Sequence, residues 1–398
     1  MLLHYFNPGY EAALLLEQPD YTPPANVQRM QRELAFLPLW YGEAGDYVWV
    51  EEGAYADFPD LPDDFPARPT LLTPALWADP AFSLPPLQAA PWGVSPQTIR
   101  FFQTLAAVEQ RTLYIPQWKE NYRTLIGRQT AAQCLEMMRQ RTDYPLPKTP
   151  VFLCSVAEVE HYLLARPDVP FVLKMPYSSS GRGLLRVDHP LPAKEKEWLT
   201  GALRKQGTVS IEPRLRKEKD FALEFYMTPE GKAEYKGLSV FLTEGWKTYG
   251  GNWLASEERL EEEITRHSGT AAFHSLKEIT RQVVEETFGG AYTGYLGVDM
   301  LLYTDAADRS LIHPCVEINM RYTMGMLAIR LFERLIHPQA TAHFRITYEK
   351  DAWQRHQQLL QSHPAQFADG RLRHGYFPLC PVNRDTQYRA FVLIEKNS

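Results

Sequence analysis

The sequence predicts a multidomain protein of mixed α/β and α+β class. Three observations lead there. The chain has 398 residues, of which 44% are hydrophobic and 23% charged, an ordinary globular balance with length for two or three domains. Short apolar runs of strand length alternate with segments of helical periodicity. And several of those strand-like runs hold a single charged residue inside them, where burial demands a partner.

The first hundred residues carry 15 of the 31 prolines, and residues 33–67 contain nine acids and no Lys or Arg. Short elements joined by proline-bounded loops are expected there. Residues 2–6 form a strand candidate, ending at the turn signal Asn7-Pro8-Gly9. Residues 11–16 begin a helix, and residues 47–50 a second strand. Residues 121–141 read as helical, with Ile126, Ala131, Cys134, Leu135 and Met138 recurring at three and four positions. A proline-rich stop at 144–150 precedes a short strand at 151–153. Ser155 and Glu158 have capping-box spacing at the head of a helix running to Leu164. Residues 169–175 make a strongly apolar strand. Residues 209–215 are β-rich, followed by a polar loop at 216–220 and a strand at 221–227. The acidic run 257–263 reads as a solvated helix face. Residues 274–288 form an amphipathic helix closed by Gly289-Gly290. Two strands at 295–303 and 311–319, joined by seven polar residues, read as an antiparallel pair. A helix and a strand at 388–394 complete the chain.

Composition also limits the partners. A net charge of −6 gives no basic footprint for nucleic acid. No run approaches the length of a membrane span. The N-terminus lacks a basic region and is interrupted by Glu11, so no signal peptide is expected. Cys134, Cys154, Cys315 and Cys380 are widely spaced, without CxxC, and are expected as free thiols in the cytoplasm. The P-loop, GxGxxG, GxSxG, HExxH and protein-kinase signatures are all missing.

Three pieces carry chemistry. The first is FVLKMPYSSSGRG, residues 171–183. On a strand, Val172 and Lys174 share one face and Phe171, Leu173 and Met175 the other. A lysine within such a strand suits a phosphate. The Ser/Gly-rich loop after it can aim backbone N–H groups at an anion. By itself the segment also fits a strand-edge lysine before a flexible hairpin. The second piece is Asp299 in GVDMLLY with Glu317 and Asn319 in CVEIN. Glu317 and Asn319 project from one face. If the strands pair, three oxygen donors converge, which is hard-cation chemistry. The third is VSIEPRL, where Glu212-Pro213 turns the chain. Taken alone it is an ordinary strand and loop.

Taken in chain order, with the Glu212 hinge between the Lys174 segment and the Asp299 and Glu317–Asn319 strands, the three pieces resemble the ATP-grasp superfamily, over roughly residues 120–330. The resemblance implies two α+β lobes gripping ATP, preceded by a small Rossmann-like domain. The expected divisions are 1–120 for that domain, 121–211 for the small lobe, 212–345 for the large lobe and 346–398 for a C-terminal extension. It implies that Lys174 meets the α/β phosphates and that Ser178, Ser179, Ser180, Gly181, Arg182 and Gly183 close over the β/γ phosphates. Backbone around Arg214 and Leu215 would meet adenine, with Glu212 at the hinge and Asp220 near the ribose. Asp299, Glu317 and Asn319 would hold one or two Mg²⁺ ions, or Mn²⁺ in their place. Arg321 would steady the transferring group. The sequence departs from the family where an earlier lysine is usual: Arg128 stands at about that place, a stronger phosphate fork but no proton shuttle.

The implied activity is an ATP-dependent, ADP-forming ligase. A small-molecule carboxylate is activated as an acylphosphate and then attacked by an amine or thiol. A small-molecule kinase and a non-catalytic nucleotide-binding module are the alternatives. Lys236, Lys247, Tyr249 and Asn252 are candidate substrate contacts. The C-terminal segment shows no readable chemistry, and the co-substrates and oligomeric state stay open.

Overall fold

The computed structural model describes residues 1–51, 61–108, 111–178, 183–187, 190–245 and 248–395. The N-terminal strands β1 (Leu2–Tyr5), β2 (Tyr47–Trp49), β3 (Thr70–Leu72), β4 (Leu87–Pro91) and β5 (Leu113–Tyr114) form a parallel sheet in the order β3-β2-β1-β4-β5. Leu3, Leu72, Leu87 and Ala89 are buried with Trp49, Trp77 and Phe102, as a parallel sheet covered by helices requires. The order reverses between β1 and β4. Open α/β sheets bind ligands beside such a switch point, and here the loops after the two strands meet. Asn7 ties the loops together: its amide donates to the Gly93 carbonyl (2.8 Å) and accepts from the Gly93 N–H (3.1 Å). This is the Rossmann-like domain, in spite of its proline-rich middle.

Strands β6 (Val151–Leu153), β7 (Phe171–Lys174), β8 (Leu184–Val187) and β9 (Val209–Pro213) make an antiparallel sheet in the order β6-β9-β7-β8. Helices Val156–Leu164 and Ala193–Gln206 cover one face, burying Val159, Leu163, Leu199 and Ala202 against Phe171, Leu173, Val209 and Ile211. Strand alternation then turns Val172 and Lys174 to the other face. The expected capping box is formed: the Ser155 hydroxyl accepts from the Glu158 N–H (3.1 Å) and Glu158 accepts from the Ser155 N–H (3.3 Å).

A nine-stranded sheet contains β10 (Arg216–Met227), β11 (Ala233–Glu244), β12 (Thr248–Leu254), β13 (Gly294–Thr304), β14 (Ser310–Asn319), β15 (Ala342–Tyr348), β16 (Gln366–Ala368), β17 (Arg371–Pro378) and β18 (Tyr388–Ile394). Its order is β14-β13-β10-β11-β12-β15-β18-β17-β16. Helices Glu257–Ser268 and Thr270–Phe288 bury Leu260, Ile264, Leu276, Val283 and Val284 against Phe221, Leu223, Phe225, Val298 and Met300. Tyr122, Ala131, Cys134, Leu135 and Met138, from the segment expected in the small lobe, join this core. The helical region splits into Asn121–Leu125 and Arg128–Arg139.

One expectation changes. Residues 216–220 are not a polar loop: β10 begins at Arg216 and pairs with β13 from Arg216–Thr304 onward. Backbone pairing overrides the charged composition, because this end of the strand keeps its side chains in solvent. In the C-terminal segment β15, β17 and β18 continue the large sheet, and the expected division at 345 falls inside β15. Among the described residues no helix is long and apolar enough to cross a membrane. The four cysteines are free, and all but Cys154 are buried.

Candidate active site

A cleft of about 930 Å³ runs between the two lobes and reaches the N-terminal domain. Its small-lobe wall carries Lys174 at the end of β7 and Glu212 on β9. The register pairs Val172 with Glu212 and Lys174 with Ser210, so both charged side chains leave the same face of the sheet. The Lys174 ammonium meets the Glu212 carboxylate at 2.5 Å, and Lys174 is only 7% exposed. Burial alone would raise the Glu212 carboxyl. Lys174, with Arg128, outweighs it and holds the group below its usual range. His313 is buried beside this pair. Burial lowers its imidazole to about 4, opposed by Glu212 and assisted by Lys174, so it is neutral at pH 7.

The large-lobe wall is built by the antiparallel pair β13–β14. Asp299 lies opposite Glu317 and Gly297 opposite Asn319, so both acids and the amide converge as expected. Burial, then the negative charges of Glu317 and Glu224, push the Asp299 carboxyl well above the usual range. Arg128 joins the two walls. Its guanidinium donates to the Met175 carbonyl (3.0 Å), to Glu317 Oε2 (3.0 Å) and to Ser178 Oγ (3.4 Å). Lys174 and Glu317 therefore lie either side of one buried arginine, at the place where the sequence departs from the usual lysine. Arg321 donates to Glu11 Oε1 (2.9 Å), to Asn319 Oδ1 (3.0 Å) and to the Tyr322 carbonyl (3.2 Å). This links the first helix of the N-terminal domain to the oxygen-donor row.

Arg214, Leu215 and Asp220 all line the cleft. Asp220 also accepts from Lys217 (2.7 Å) and Thr243 (2.7 Å). At the glycine-rich loop, Ser178 and Gly183 pack so closely that a Cβ on Gly183 would lie 2.4 Å from Ser178 Cβ. Ser179, Ser180, Gly181, Arg182 and Lys247 lie outside the described residues. Tyr249 lines the cleft, but Asn252 is fully buried and accepts the Tyr249 hydroxyl proton, so it supports Tyr249 from behind. Lys236 does not reach the cleft. It is the extra residue where the β10–β11 register slips between Glu224–Gly237 and Phe225–Tyr235, and a bulge re-aims its side chain. It pairs with Glu234 (2.8 Å) and sits over the Tyr226 ring.

The sequence reading passed over Glu224, although FALEFYM shows the same signal as GVDMLLY: one acid inside an apolar strand. Glu224 lines the cleft and is 2% exposed. Burial pushes its carboxyl up to about 7, against hydrogen bonds from Thr323 and Ser239. Glu11, Tyr348 and Tyr388 also line the cleft, and sequence spacing offered no means of placing them there.

Among the described residues no group of three or more His, Cys, Asp or Glu side chains can hold a metal ion by itself. The donors are instead two carboxylates and an amide oxygen, a partial shell that fits Mg²⁺ where phosphate oxygens supply the remainder. The crowding that raises Asp299 is the state a cation would relieve.

No protein-family model matches the sequence, and no curated protein matches it. Solved structures do. A biotin carboxylase–β-γ-ATP complex from Campylobacter jejuni is 13% identical, with 99% of this chain and 87% of that one covered, at a TM-score of 0.50. N5-carboxyaminoimidazole synthetase from Staphylococcus aureus, complexed with ADP, is 11% identical over 100% of this chain and 94% of that one, at a TM-score of 0.48. The chain has the ATP-grasp fold of the first of these.

Proposed function

We propose that the chain is an ATP-dependent, ADP-forming ligase that activates a small carboxylate for attack by a nucleophile. The observation that carries this reading is the single cleft in which the Lys174–Glu212 pair faces Asp299, Glu317 and Asn319 across Arg128. Lys174 and Arg128 supply positive charge for phosphates on the small-lobe side. Val172, Leu184, Leu301 and Val316 line the adjoining wall, an apolar slot of the kind that takes a flat base. Arg214 and Leu215 offer backbone polar groups at its edge, and Asp220 stands where a ribose hydroxyl would reach.

Asp299, Glu317 and Asn319 would hold Mg²⁺, which when bound neutralises phosphate charge. In the reaction a carboxylate oxygen attacks the γ-phosphorus and displaces ADP. A nucleophile then attacks the acyl carbon and phosphate leaves. The chain's task is to align the groups and keep water from the acylphosphate. Arg321, held by Glu11 and Asn319, is fixed in position to meet the phosphoryl or acyl oxygens. Free, mostly buried thiols support a reducing, cytoplasmic setting.

The test is ADP and phosphate release from Mg-ATP with pooled small carboxylates and nucleophiles, beside Lys174→Met. We expect ADP and free phosphate in equal amounts only when both co-substrates are present. ADP without free phosphate would establish a kinase instead. Equal activity in Lys174→Met would overturn the assignment of the cleft.

A further inference from the structure

The paired strands set out the cleft floor as a series of rows. Asp220, Leu301 and His313 form the row nearest Lys174 and Glu212. Ala222, Asp299 and Glu317 form the next. Glu224, Gly297 and Asn319 form the third, and Tyr226 with Tyr295 the fourth. Each step is two residues along β10 and β13, about 7 Å, while β14 uses four residues for the first step, where its register shifts. Glu224 thus stands one step beyond the Asp299–Glu317 row, on the side away from the nucleotide end and towards the N-terminal domain. In-line transfer from the γ-phosphorus places the acceptor on that side.

The carboxylate is built into place. Thr323 Oγ1 donates to Oε2 (2.8 Å) and Ser239 Oγ to Oε1 (3.3 Å). Two glycines make the room it occupies: a Cβ on Gly325 would lie 2.0 Å from Oε1, and one on Gly297 would lie 2.7 Å from Oε2. No Lys, Arg or His among the described residues reaches Glu224 at ion-pair distance. The guanidinium whose charge it senses, Arg321, is already engaged by Glu11 and Asn319. A buried carboxylate with two hydroxyl donors and no cation is an incomplete site, and here it opens on the cleft, with Thr323, Met324 and Gly325 beside it.

We propose that Glu224 is the specificity-determining residue for the nucleophile: it binds the ammonium group of a primary-amine co-substrate. The inference rests on the ligase reading and refines it. An ammonium brings the missing charge and up to three donors, and by passing one proton to the Glu224 carboxylate it becomes the neutral amine whose lone pair attacks the acyl carbon as phosphate leaves. A thiolate would be repelled by the carboxylate, and a thiol is too weak a donor to satisfy it.

The experiment measures ADP release with saturating Mg-ATP and pooled small carboxylates. One set of reactions contains ammonium chloride and the common amino acids other than cysteine, the other thiols without an aliphatic amine (coenzyme A and pantetheine). We expect turnover with an amine. Glu224→Gln should raise KM for that amine at least tenfold with KM for ATP within twofold of the parent, and Glu224→Asp should recover part of the loss. Gly325→Ala should also raise the amine KM, because its methyl must displace the carboxylate. Thiol-only turnover overturns the inference, as does an amine KM within threefold of the parent in both Glu224→Gln and Gly325→Ala. ADP release with no set, from protein that binds nucleotide, overturns the ligase reading and this inference with it.

Discussion

Replacing Lys174 with methionine separates two roles of one side chain. Lys174 and the Glu212 carboxylate are buried together at 2.5 Å. Methionine keeps the volume of the stem but leaves Glu212 with only the Arg128 guanidinium to offset its charge. Breaking a buried pair from one side costs about 3–5 kcal/mol. The one guanidinium that remains should bring the loss toward the lower end. Lys174 would also lose its contact with a bound phosphate, a charged hydrogen bond worth about 1.5–3 kcal/mol. That corresponds to about a 10- to 150-fold weaker nucleotide Kd. The double variant Lys174→Met/Glu212→Gln removes the stranded charge, so it should regain most of the stability and none of the affinity. Amide hydrogen exchange in β7 and β9 reads the first quantity, and titration with a fluorescent ADP analogue in Mg²⁺ reads the second. A double variant that is well protected and binds nucleotide like the parent would refute the reasoning. So would Lys174→Met with unchanged exchange.

Two further outcomes follow from the electrostatics. Asp299→Asn should raise the melting temperature of the empty protein at pH 7, because it relieves a carboxyl held well above its usual range by burial and by Glu317. It should also raise the Mg²⁺ concentration needed for tight nucleotide binding about tenfold or more, and an unchanged metal requirement would remove Asp299 from the ion site. His313 has a folded-state pKa of about 4 against an ordinary 6.5, so the folded protein disfavours its protonation. Its contribution to stability is complete above pH 6.5 and is lost as pH falls towards 4, by about 3 kcal/mol in all. His313→Asn should flatten that part of the acid-unfolding curve, and an identical curve would show that another group carries it.

The sequence by itself determined the class of the fold and the identity of the charged residues at its centre. Lys174, Glu212, Asp299 and Glu317 each interrupt an apolar strand. Burial makes such an interruption costly enough to be legible without coordinates. Parity along β7 and β14 also told which face each side chain leaves. Tertiary structure alone decided how the walls meet. Arg128 touches Glu317 across 189 positions, and Arg321 touches Glu11 across 310; no local pattern encodes such pairs. The strand character of residues 216–220 came from pairing with β13, which outweighed composition. Lys236 was turned away by a one-residue bulge, and Glu224 gained its place from two glycines on other elements. Spacing records the period of a single element, whereas register, bulges and the room left by a missing Cβ belong to pairs of elements and exist only once those elements have packed.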